Sequence, residues 1–552
     1  MIKTLLIVLL LFSFTANAQD TSQQQDKPSD TTNVEAGEGE KKVSKRDYSI
    51  SRANSYSDLF FDSSALESFI VANNVNDTIS RRMRSFYNTR NYQFAWFSGD
   101  GVTEQGRSFW NLHEYHTTYS GDNSLDDKNL KKRMNYLISQ ETLTVSSSDK
   151  SSINTELTLT QHFIQYLVNN YKRGEIKRKE VERFVPYKKV DAMYLADSIL
   201  TKKHKDNRYY ADINPAYKAL VEQLQKYFDI AKSGGWQSIT TAEKRITRGM
   251  SLAAVTAIKK RLQVTGEMPA GDTSSLFNDQ LANAVKSFQK SLGHTADGVI
   301  TAGLIREMNV PPVKRVQQLL LNMGRMRWML NNTGGKLIMV NIPEFVLHVF
   351  EGTNKVFDMN VVVGKEGHNT TIFTGNLNQV VFSPYWNVTA NIVKNEILPA
   401  IKKDPNYLSR NNMEQVGSAD GLPKIRQLPG PKNSLGKVKF LFPNSFDIYF
   451  HDTPAKHLFN SDKRAYSHGC IRLSDPFKMA TYILQDQKEW TPGRIDEAMN
   501  SGKEQYVKVK TPVPVLITYY TAWVDEAGLL NFRDDIYKHD VNLMKKMFVN
   551  PL

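Results

Sequence analysis

The chain has 552 residues, a formal net charge of +14 and a single cysteine. This length excludes one ordinary hydrophobic core and indicates about three or four folded units. The single cysteine excludes an intramolecular disulfide, and the positive charge favours an acidic partner: a polyanionic surface, nucleic acid or a bacterial wall.

Residues 1–18 have the three parts of a secretory signal. Lys3 gives a positive start, residues 5–14 are apolar, and the sequence ANA at 16–18 is a small-x-small cleavage site. The apolar run is shorter than the roughly 20 residues that a membrane span needs. We therefore expect export with cleavage after Ala18. The alternative is an uncleaved signal that associates the protein with a membrane.

Export makes the lone cysteine, Cys470, informative. A free thiol in an oxidising compartment risks mixed disulfides and over-oxidation. A chain that keeps only this cysteine is more easily explained if the thiol is reactive. The alternative is that Cys470 is a small, buried and inert side chain, as most single cysteines are.

Residues 19–244 are predicted to form a disordered linker (19–56) followed by a helical scaffold domain (57–244). Residues 19–56 contain almost no apolar side chains. In the scaffold, the segments ELTLTQHFIQYLVNNYKRGEI and AYKALVEQLQKYFDIAKSGGW have apolar residues at helical spacing. Its histidines are scattered, and we interpret them as structural or exposed rather than as metal ligands: they are His113, His116, His162 and His204.

Residues 245–312 predict a three-helix module. Two amphipathic segments, AVTAIKKRLQVTGEMP and LANAVKSFQKSLGHTADGVITAGLIREMNV, surround a turn at Asp297-Gly298. The pairs Leu262-Gln263, Ala284-Val285 and Phe288-Gln289, with Asp297-Gly298 and Thr301, resemble the peptidoglycan-binding domain type 1 family. The resemblance implies binding to wall glycan or stem peptide, and the alternative is a helical spacer without a ligand.

The remaining chain predicts a connecting helix (313–334), a β-rich domain (335–524) and a C-terminal tail (525–552). The helix carries Val316, Leu319, Leu320 and Met323 on one face. After Gly334-Gly335 the apolar period changes to two, as in KLIMVNIPE and FVLHVFEG. An insertion at 389–437, rich in Asn, Pro, Gly and Lys, is long enough to indicate a functional lid.

The candidate site lies between the segment FDIYFHDT and the sequence SHGC at 467–470. Because side chains alternate along a strand, Tyr449 and His451 share the face opposite Ile448 and Phe450. A thiol near a histidine is typical of a cysteine nucleophile and its base. Glycine before Cys470 permits a tight turn whose backbone N–H groups can converge as an oxyanion hole.

The histidine, the spacer and SHGC followed by Ile471-Arg472 resemble the YkuD family of L,D-transpeptidases, enzymes of peptidoglycan cross-linking. The segments PYWNVT, RQLPGPKNSLGKVKFLFPN, YFHDTPAKHLF and VPVLITYYTAW are similar to its larger, multi-domain YcbB-like subgroup. The resemblance implies an α+β multi-domain fold with a helical N-terminal region, a peptidoglycan-binding module and a YkuD-type catalytic domain with a lid. It also implies the periplasm or cell envelope of a bacterium.

The resemblance implies that His451 takes the thiol proton and that Cys470 attacks the carbonyl of the third stem residue. D-Ala leaves, a thioester forms, and an amine of a second stem resolves it. The backbone near Ser467, His468 and Gly469 would hold the oxyanion, with Tyr449 at hand. His468 shapes the turn rather than acting as base. The predicted substrate contacts are Arg472, for a carboxylate, with Trp386 and Asn444 as cleft-lining candidates.

Three alternatives stay open at this point. His451, His457, His468 and Cys470 could be zinc ligands. The same nucleophile could serve a hydrolase that trims stem peptides with water as acceptor. The protein could also bind the wall without catalysis. We expect stem peptides and wall glycan as partners, no nucleic acid, no metal and no cofactor.

Overall fold

The structure is a computed structural model that describes residues 42–120, 122–140, 143–170, 181, 184–201, 215–329 and 335–552. The predicted signal and most of the predicted linker lie outside these residues, as does His204. Within the ranges just given, no helix is both long and apolar enough to cross a bilayer.

The end of the predicted linker packs on the scaffold. Ile50 and Tyr56 are buried, and the backbone N–H of Ser44 donates to Ser85 Oγ at 3.1 Å. The polar composition of residues 42–56 hides these few apolar anchors. The prediction of a linker up to residue 56 therefore extends too far.

The scaffold domain is helical, with one small hairpin of β1 (Phe97–Ser98) and β2 (Gly101–Val102). Several helices begin directly after a polar residue whose side chain accepts a hydrogen bond from the first turn, for example Asp62, Asn76 and Thr103. Its helices span Ser63–Ala72, Asp77–Asn88, Glu104–Tyr119, Lys128–Ser139, Lys150–Asn170, Ala192–Leu200 and Pro215–Lys232.

The predicted three-helix module has helices Ala253–Thr265, Asp279–Ser291 and Ala302–Met308, with a small pairing of β3 (Arg245–Ile246) and β4 (Ile300–Thr301). The predicted turn is present, since Gly298 has a φ of +76° and Gln289 Nε2 donates to Asp297 Oδ1 at 2.7 Å.

The module is docked on the C-terminal half of the chain. The backbone N–H and the hydroxyl of Thr295 donate to the carboxylate of Asp462 at 3.0 and 2.8 Å. Arg533 Nη1 donates to the carbonyl of Ser291 at 2.9 Å. The module therefore contacts both the loop before the SHGC turn and the C-terminal segment.

The central helix, Pro312–Met326, corresponds to the first part of the predicted connecting helix (313–334). The predicted apolar face is buried, and several polar side chains of the same helix are buried too. Asn322 Nδ2 donates to Thr521 Oγ1, and the N–H of Thr521 donates back to Asn322 Oδ1. Gln318 Nε2 donates to the carbonyl of Thr521. The helix thus holds the end of the β-rich domain by specific hydrogen bonds.

Arg325 on the central helix is buried between two carboxylates. Its guanidinium lies 2.7 Å from Glu104 of the scaffold and 2.6 Å from Asp540 in the C-terminal helix His539–Met547. Burial alone would lower the pKa of Arg325, but Asp540 and Glu104 raise it well above its usual value. One cation thereby joins three parts of the chain.

The β-rich domain is a sheet that closes on itself. Its strands are β5 (Lys336–Asn341), β6 (Val346–Glu351), β7 (Asn354–Gly364), β8 (Thr374–Phe382), β12 (Val438–Leu441), β13 (Phe450–His451), β14 (Ala465–Ser467), β15 (Ile471–Leu473) and β16 (Gln505–Thr518). They follow the order β7-β15-β13-β12-β8-β16-β5-β6 in the sheet, and the pairing of β6 with β7 completes the ring. Strand β14 pairs with the end of β7.

The core of this domain lies among alternate residues of the strands, including Val340, Val361, Phe440 and Ile517. Two helices, Pro476–Leu484 and Pro492–Asn500, pack their apolar side chains on the same core. The alternation that the sequence shows after residue 335 therefore produces a closed sheet with a continuous apolar core.

The insertion at 389–437 forms a small unit with its own core. A three-stranded sheet contains β9 (Trp386–Asn387), β10 (Met413–Ala419) and β11 (Leu422–Gln427) in the order β10-β11-β9. The helical segments are Ala390–Ile392, Val393–Ile397, Leu398–Lys403 and Tyr407–Arg410. The core of Val393, Ile397, Met413 and Ile425 packs against them.

The C-terminal segment is folded onto the rest of the protein. It contains the hairpin of β17 (Ala522–Val524) and β18 (Leu530–Phe532) and ends with the helix His539–Met547. The hydroxyl of Tyr519 donates to Asp535 Oδ1 at 2.7 Å and accepts from the N–H of Tyr537. These bonds place Tyr537 against the β-rich domain.

Replacing Arg325 by Met leaves the carboxylates of Glu104 and Asp540 buried without their cation. We expect the free energy of unfolding to fall by about 3–5 kcal/mol, because an unpaired buried charge is costly. Urea denaturation followed by circular dichroism measures this loss. Adding Glu104→Gln and Asp540→Asn should restore part of it.

The matched control is Arg84→Met, since Arg84 pairs with Glu67 at 2.7 Å and both side chains are partly exposed, at 31% and 49%. This change should cost less than about 1 kcal/mol. Equal small losses for the two variants would contradict the role given to Arg325.

Candidate active site

The two predicted catalytic residues lie at neighbouring parallel strands, with His451 on one strand and Cys470 directly before the other. Strand β13 pairs with β15 so that Phe450 is opposite Ile471 and His451 is opposite Arg472. The backbone N–H of Ile471 donates to the carbonyl of Tyr449 at 3.1 Å. Because Phe450 and Ile471 are fully buried, they anchor both strands in the core. Cys470 immediately precedes the second of these strands.

The predicted alternation before His451 is present, although the strand is short. Ile448 and Phe450 are buried in the core, while Tyr449 and His451 lie together with ring centroids 5.8 Å apart. Asp447 adopts a positive φ of 53°, so the regular strand begins only at Phe450. This bend turns the carbonyl of Asp447 towards the thiol.

Cys470 is a partly buried free thiol. Its Sγ donates to the carbonyl oxygen of Asp447 at 3.5 Å, and it is contacted by both the backbone N–H and the hydroxyl of Tyr449. Burial raises the pKa of the Cys470 thiol to about 11, although the two contacts with Tyr449 lower it. The thiol is therefore protonated at neutral pH in this geometry.

His451 is buried and neutral. Burial, with the charge of Arg472 as the second cause, lowers its pKa to about 3. Its Nδ1 lies in hydrogen-bond contact with the carbonyl oxygen of Asp452. A carbonyl only accepts, so Nδ1 carries the proton and Nε2 has a free lone pair. This is the tautomer that a general base needs.

The SHGC turn is braced from within. Ser467 is buried, and its hydroxyl donates to the carbonyl of Cys470 and accepts from the N–H of Gly469 at 3.1 Å. Gly469 has a φ of +111°, which disfavours any side chain. The N–H of Gly469 is thus engaged, while that of Cys470 has no partner among the described residues.

A buried network behind the turn was not predicted from the sequence. Thr370 Oγ1 donates to the carbonyl of Gly469 at 2.7 Å and accepts from the N–H of Gly364 at 3.0 Å. The hydroxyl of Tyr537 donates to the carbonyl of Gly364 at 2.6 Å and accepts from the N–H of Thr370. A Cβ on Gly364 would lie 2.0 Å from the carbonyl oxygen of His368. In the sequence, the only indication of this network is the glycine that ends the apolar run VVVG at residues 361–364.

The side chain of His468 points towards the insertion, which supports the prediction that it shapes the turn. Its Nε2 lies 2.7 Å from Glu396 Oε1, and its ring lies 4.7 Å from that of His368. The contact joins the nucleophile turn to the predicted lid. The spacing of the sequence did not predict that Glu396 contacts His468.

The predicted substrate contacts differ in how the structure places them. Arg472 lies next to His451, and its buried Nε has no hydrogen-bond partner within the described part of the chain. Trp386 packs on the core of the insertion. The side chain of Asn444 bonds the backbone of Phe442, Phe446 and Ile448, which organises its own loop. The roles of Trp386 and Asn444 in substrate binding stay predictions.

The histidines and the cysteine of the zinc alternative are dispersed. His457 is exposed on the short helix Lys456–Asn460, and His468 contacts Glu396. Among the described residues, no group of three or more His, Cys, Asp or Glu side chains is arranged to hold a metal ion.

Comparison with family models gives three matches along the chain. Residues 335–515 match the YkuD family, described as the L,D-transpeptidase catalytic domain. These residues form an L,D-transpeptidase catalytic domain. Residues 81–224 match the scaffold domain family, and residues 251–308 match the family "Putative peptidoglycan binding domain". The predicted α+β organisation of helical region, binding module and L,D-transpeptidase domain is confirmed.

A curated relative is the Haemophilus influenzae protein "Putative L,D-transpeptidase", 30% identical over 240 residues. The match covers 41% of this chain, and the chain spans about half (48%) of the length of that relative. Solved structures similar to this chain include L,D-transpeptidases from Xylanimonas cellulosilytica (14% identity, 50% of this chain, 100% of that chain, TM-score 0.16) and Stackebrandtia nassauensis (14%, 50%, 97%, 0.22).

The raised pKa of the Cys470 thiol predicts how the L,D-transpeptidase domain reacts with iodoacetamide. Because only thiolate reacts, the alkylation rate should rise about tenfold per pH unit between pH 7 and 10. Intact-mass spectrometry follows the reaction at the only cysteine. N-acetylcysteine, a thiol fully exposed to water, is the control, and its alkylation rate should level off at a lower pH than that of Cys470. A plateau at neutral pH would instead indicate a preformed thiolate–imidazolium pair.

Proposed function

We propose that this protein is a peptidoglycan L,D-transpeptidase that forms direct links between the third residues of two stem peptides. The observation that carries the proposal is the pair of neutral groups, His451 on β13 and Cys470 directly before the adjacent strand β15, in a domain that matches the L,D-transpeptidase catalytic domain. A protonated thiol and an unprotonated Nε2 are the two partners needed for proton transfer as attack begins.

In the first half-reaction, substrate binding releases the thiol from the carbonyl of Asp447, and His451 Nε2 takes its proton. Sγ attacks the carbonyl carbon of the third stem residue, and a tetrahedral oxyanion forms. The free N–H of Cys470 and the hydroxyl of Tyr449 are the donors available to it. Collapse breaks the peptide bond, and His451 gives the proton to the departing amine of D-Ala.

In the second half-reaction, an amine of a neighbouring stem attacks the thioester carbonyl. His451 takes a proton from this amine and returns it to Sγ as the thioester breaks, which regenerates the thiol. The products are one new amide between two third residues and free enzyme. A hydrolase that trims stem peptides would use the same groups with water as acceptor, so only the acceptor separates the two functions.

The insertion supports the transfer reaction over hydrolysis. Glu396 contacts His468 at 2.7 Å, directly before the nucleophile turn, so the insertion reaches the place where an acceptor must arrive. A lid that excludes water favours an amine acceptor. Trp386, at the root of the insertion, and Asn444 are kept as candidate cleft residues.

We place the protein in the cell envelope of a bacterium, where its substrate is found. The peptidoglycan-binding domain match and the catalytic domain match support a wall location. A cleaved signal at residues 1–18 would deliver it to the periplasm. The wall glycan would be the partner of the binding module.

Acylation of Cys470 tests the chemistry. Incubation with a tetrapeptide donor should add the mass of the donor minus D-Ala, and a carbapenem should add its whole mass, to the intact protein. Cys470→Ala should abolish both adducts. His451→Ala should slow acylation by roughly 10²–10⁴-fold, because proton transfer is lost.

His457→Ala is the matched control, since His457 is exposed on the same loop. It should leave acylation unchanged. Products from Cys470→Ala equal to those of the natural protein would exclude the thiol mechanism. Activity lost to a chelator together with stoichiometric bound zinc would favour the metal alternative.

Arg472 is the proposed partner of the terminal carboxylate of the donor, because its cation is partly buried beside His451 and its Nε is unpaired within the described residues. Arg472→Gln should raise the half-saturating donor concentration roughly 10- to 100-fold. A donor amidated at that carboxylate should bind the natural protein equally poorly and be insensitive to the change.

Lys463→Gln is the control, since Lys463 is an exposed cation near the same turn. It should change the half-saturating concentration of neither donor by more than about twofold, because an exposed charge contributes little to binding. If Arg472→Gln weakened the binding of both donors to the same extent, the guanidinium would not be the partner of the terminal carboxylate.

A further inference from the structure

A groove of about 310 Å³ lies between the scaffold and the catalytic domain. One wall is the scaffold helix Glu104–Tyr119 with part of Lys128–Ser139, and the other is strand β8 with the loop before Asp447. Cys470 and His451 do not line it. The groove is therefore a separate feature from the thiol site.

The groove is lined by asparagines whose amides are unused. Asn111 and Asn135 project from the scaffold, and Asn376 and Asn378 from β8. None of these four side chains makes a hydrogen bond within the described residues. Asn376 Oδ1 and Thr374 Oγ1 are buried and without a partner there. Leaving buried polar atoms unpaired is costly, so the groove favours a ligand with many hydrogen-bonding groups.

The groove offers little free positive charge. Lys131 is neutralised by Glu114 at 2.6 Å. Arg107 is the remaining cation of the lining, and its partly buried guanidinium lies 3.5 Å from the carbonyl oxygen of Ile138. A stem peptide brings several carboxylates, which this one cation would not match. The groove therefore fits an uncharged polar ligand better than an acidic peptide.

Aromatic rings complete the lining. The rings of Tyr115 and Tyr119 lie 4.7 Å apart, and Tyr119 is 37% exposed. A tyrosine ring presents an apolar face and a polar hydroxyl. Rings beside free amides match a sugar, which has an apolar C–H face and a rim of hydroxyl and acetamido groups.

We propose that this groove binds the N-acetylated amino-sugar chain that carries the donor stem peptide. The inference rests on the proposed function for its biological substrate. Asn444 in the groove wall lies three residues before Asp447, whose carbonyl contacts Cys470 Sγ at 3.5 Å. Three residues span at most roughly 10 Å, and residues 444–447 form a turn, so the groove wall lies within that distance of the thiol contact. The third residue of a stem lies at a similar distance from its sugar.

The first test measures sugar binding without any reaction. Chitotetraose, which has no peptide, is titrated calorimetrically into the full chain carrying Cys470→Ala, with and without Asn111→Ala and Asn378→Ala together. The groove variant should lose at least tenfold in affinity at one site. Asn154→Ala, an exposed asparagine on another scaffold helix, is the matched control and should change nothing.

Tyr119→Ala is the second variant. Because the ring of Tyr119 is partly exposed, its removal should leave the fold intact even if the double asparagine variant does not fold. It should also weaken chitotetraose binding. Unchanged affinity in a folded groove variant overturns the proposal, even where the binding module retains sugar affinity of its own.

The second test compares two donors in acylation of Cys470: the free tetrapeptide and the same peptide on its disaccharide. The disaccharide donor should be half-saturating at a concentration at least tenfold lower, and the groove variant should remove this advantage. Acylation without a sugar advantage overturns the groove proposal alone. Absence of acylation by either donor contradicts the proposed function, while the chitotetraose result still decides the groove.

Discussion

The buried guanidinium of Arg325 is the constraint on which the arrangement of domains depends. It lies between Glu104 of the scaffold and Asp540 of the C-terminal helix. Removing a charge from water is costly unless its partners are close, so the three elements must meet. The hydrogen bonds of Asn322 with Thr521 add direction to this charge. The interdomain groove and the seat of Tyr537 both depend on the result.

The same reasoning of burial explains the resting state of the site. Burial favours the neutral forms of both Cys470 and His451, so the pair carries no separated charge before substrate arrives. In an oxidising compartment this is protective, since a protonated thiol is a poor target for oxidants. Under the proposed function, the substrate supplies the carbonyl that makes proton transfer productive, so the pair becomes reactive only when the substrate binds.

The sequence predicted the parts of the site that are close along the chain. The SHGC sequence and the alternation from Ile448 to His451 were enough to single out Cys470 and His451, which lie at neighbouring strands, and their catalytic roles stay predictions. Thr370, Tyr537 and Glu396 could not be found this way, because each reaches the turn through tertiary contacts between distant segments. The linker prediction extended too far for a related reason, since a few apolar anchors such as Ile50 decide packing despite polar surroundings.

The contact between the binding module and the loop before the nucleophile has a mechanical consequence. Thr295 holds Asp462 by two hydrogen bonds, and Arg533 donates to the carbonyl of Ser291, four residues earlier in the module. A module on a free tether would let the thiol search a wide volume around its point of attachment. Under the proposed function, a module fixed in this way would let the thiol react only with stem peptides on strands that lie at one distance from the strand that the module binds.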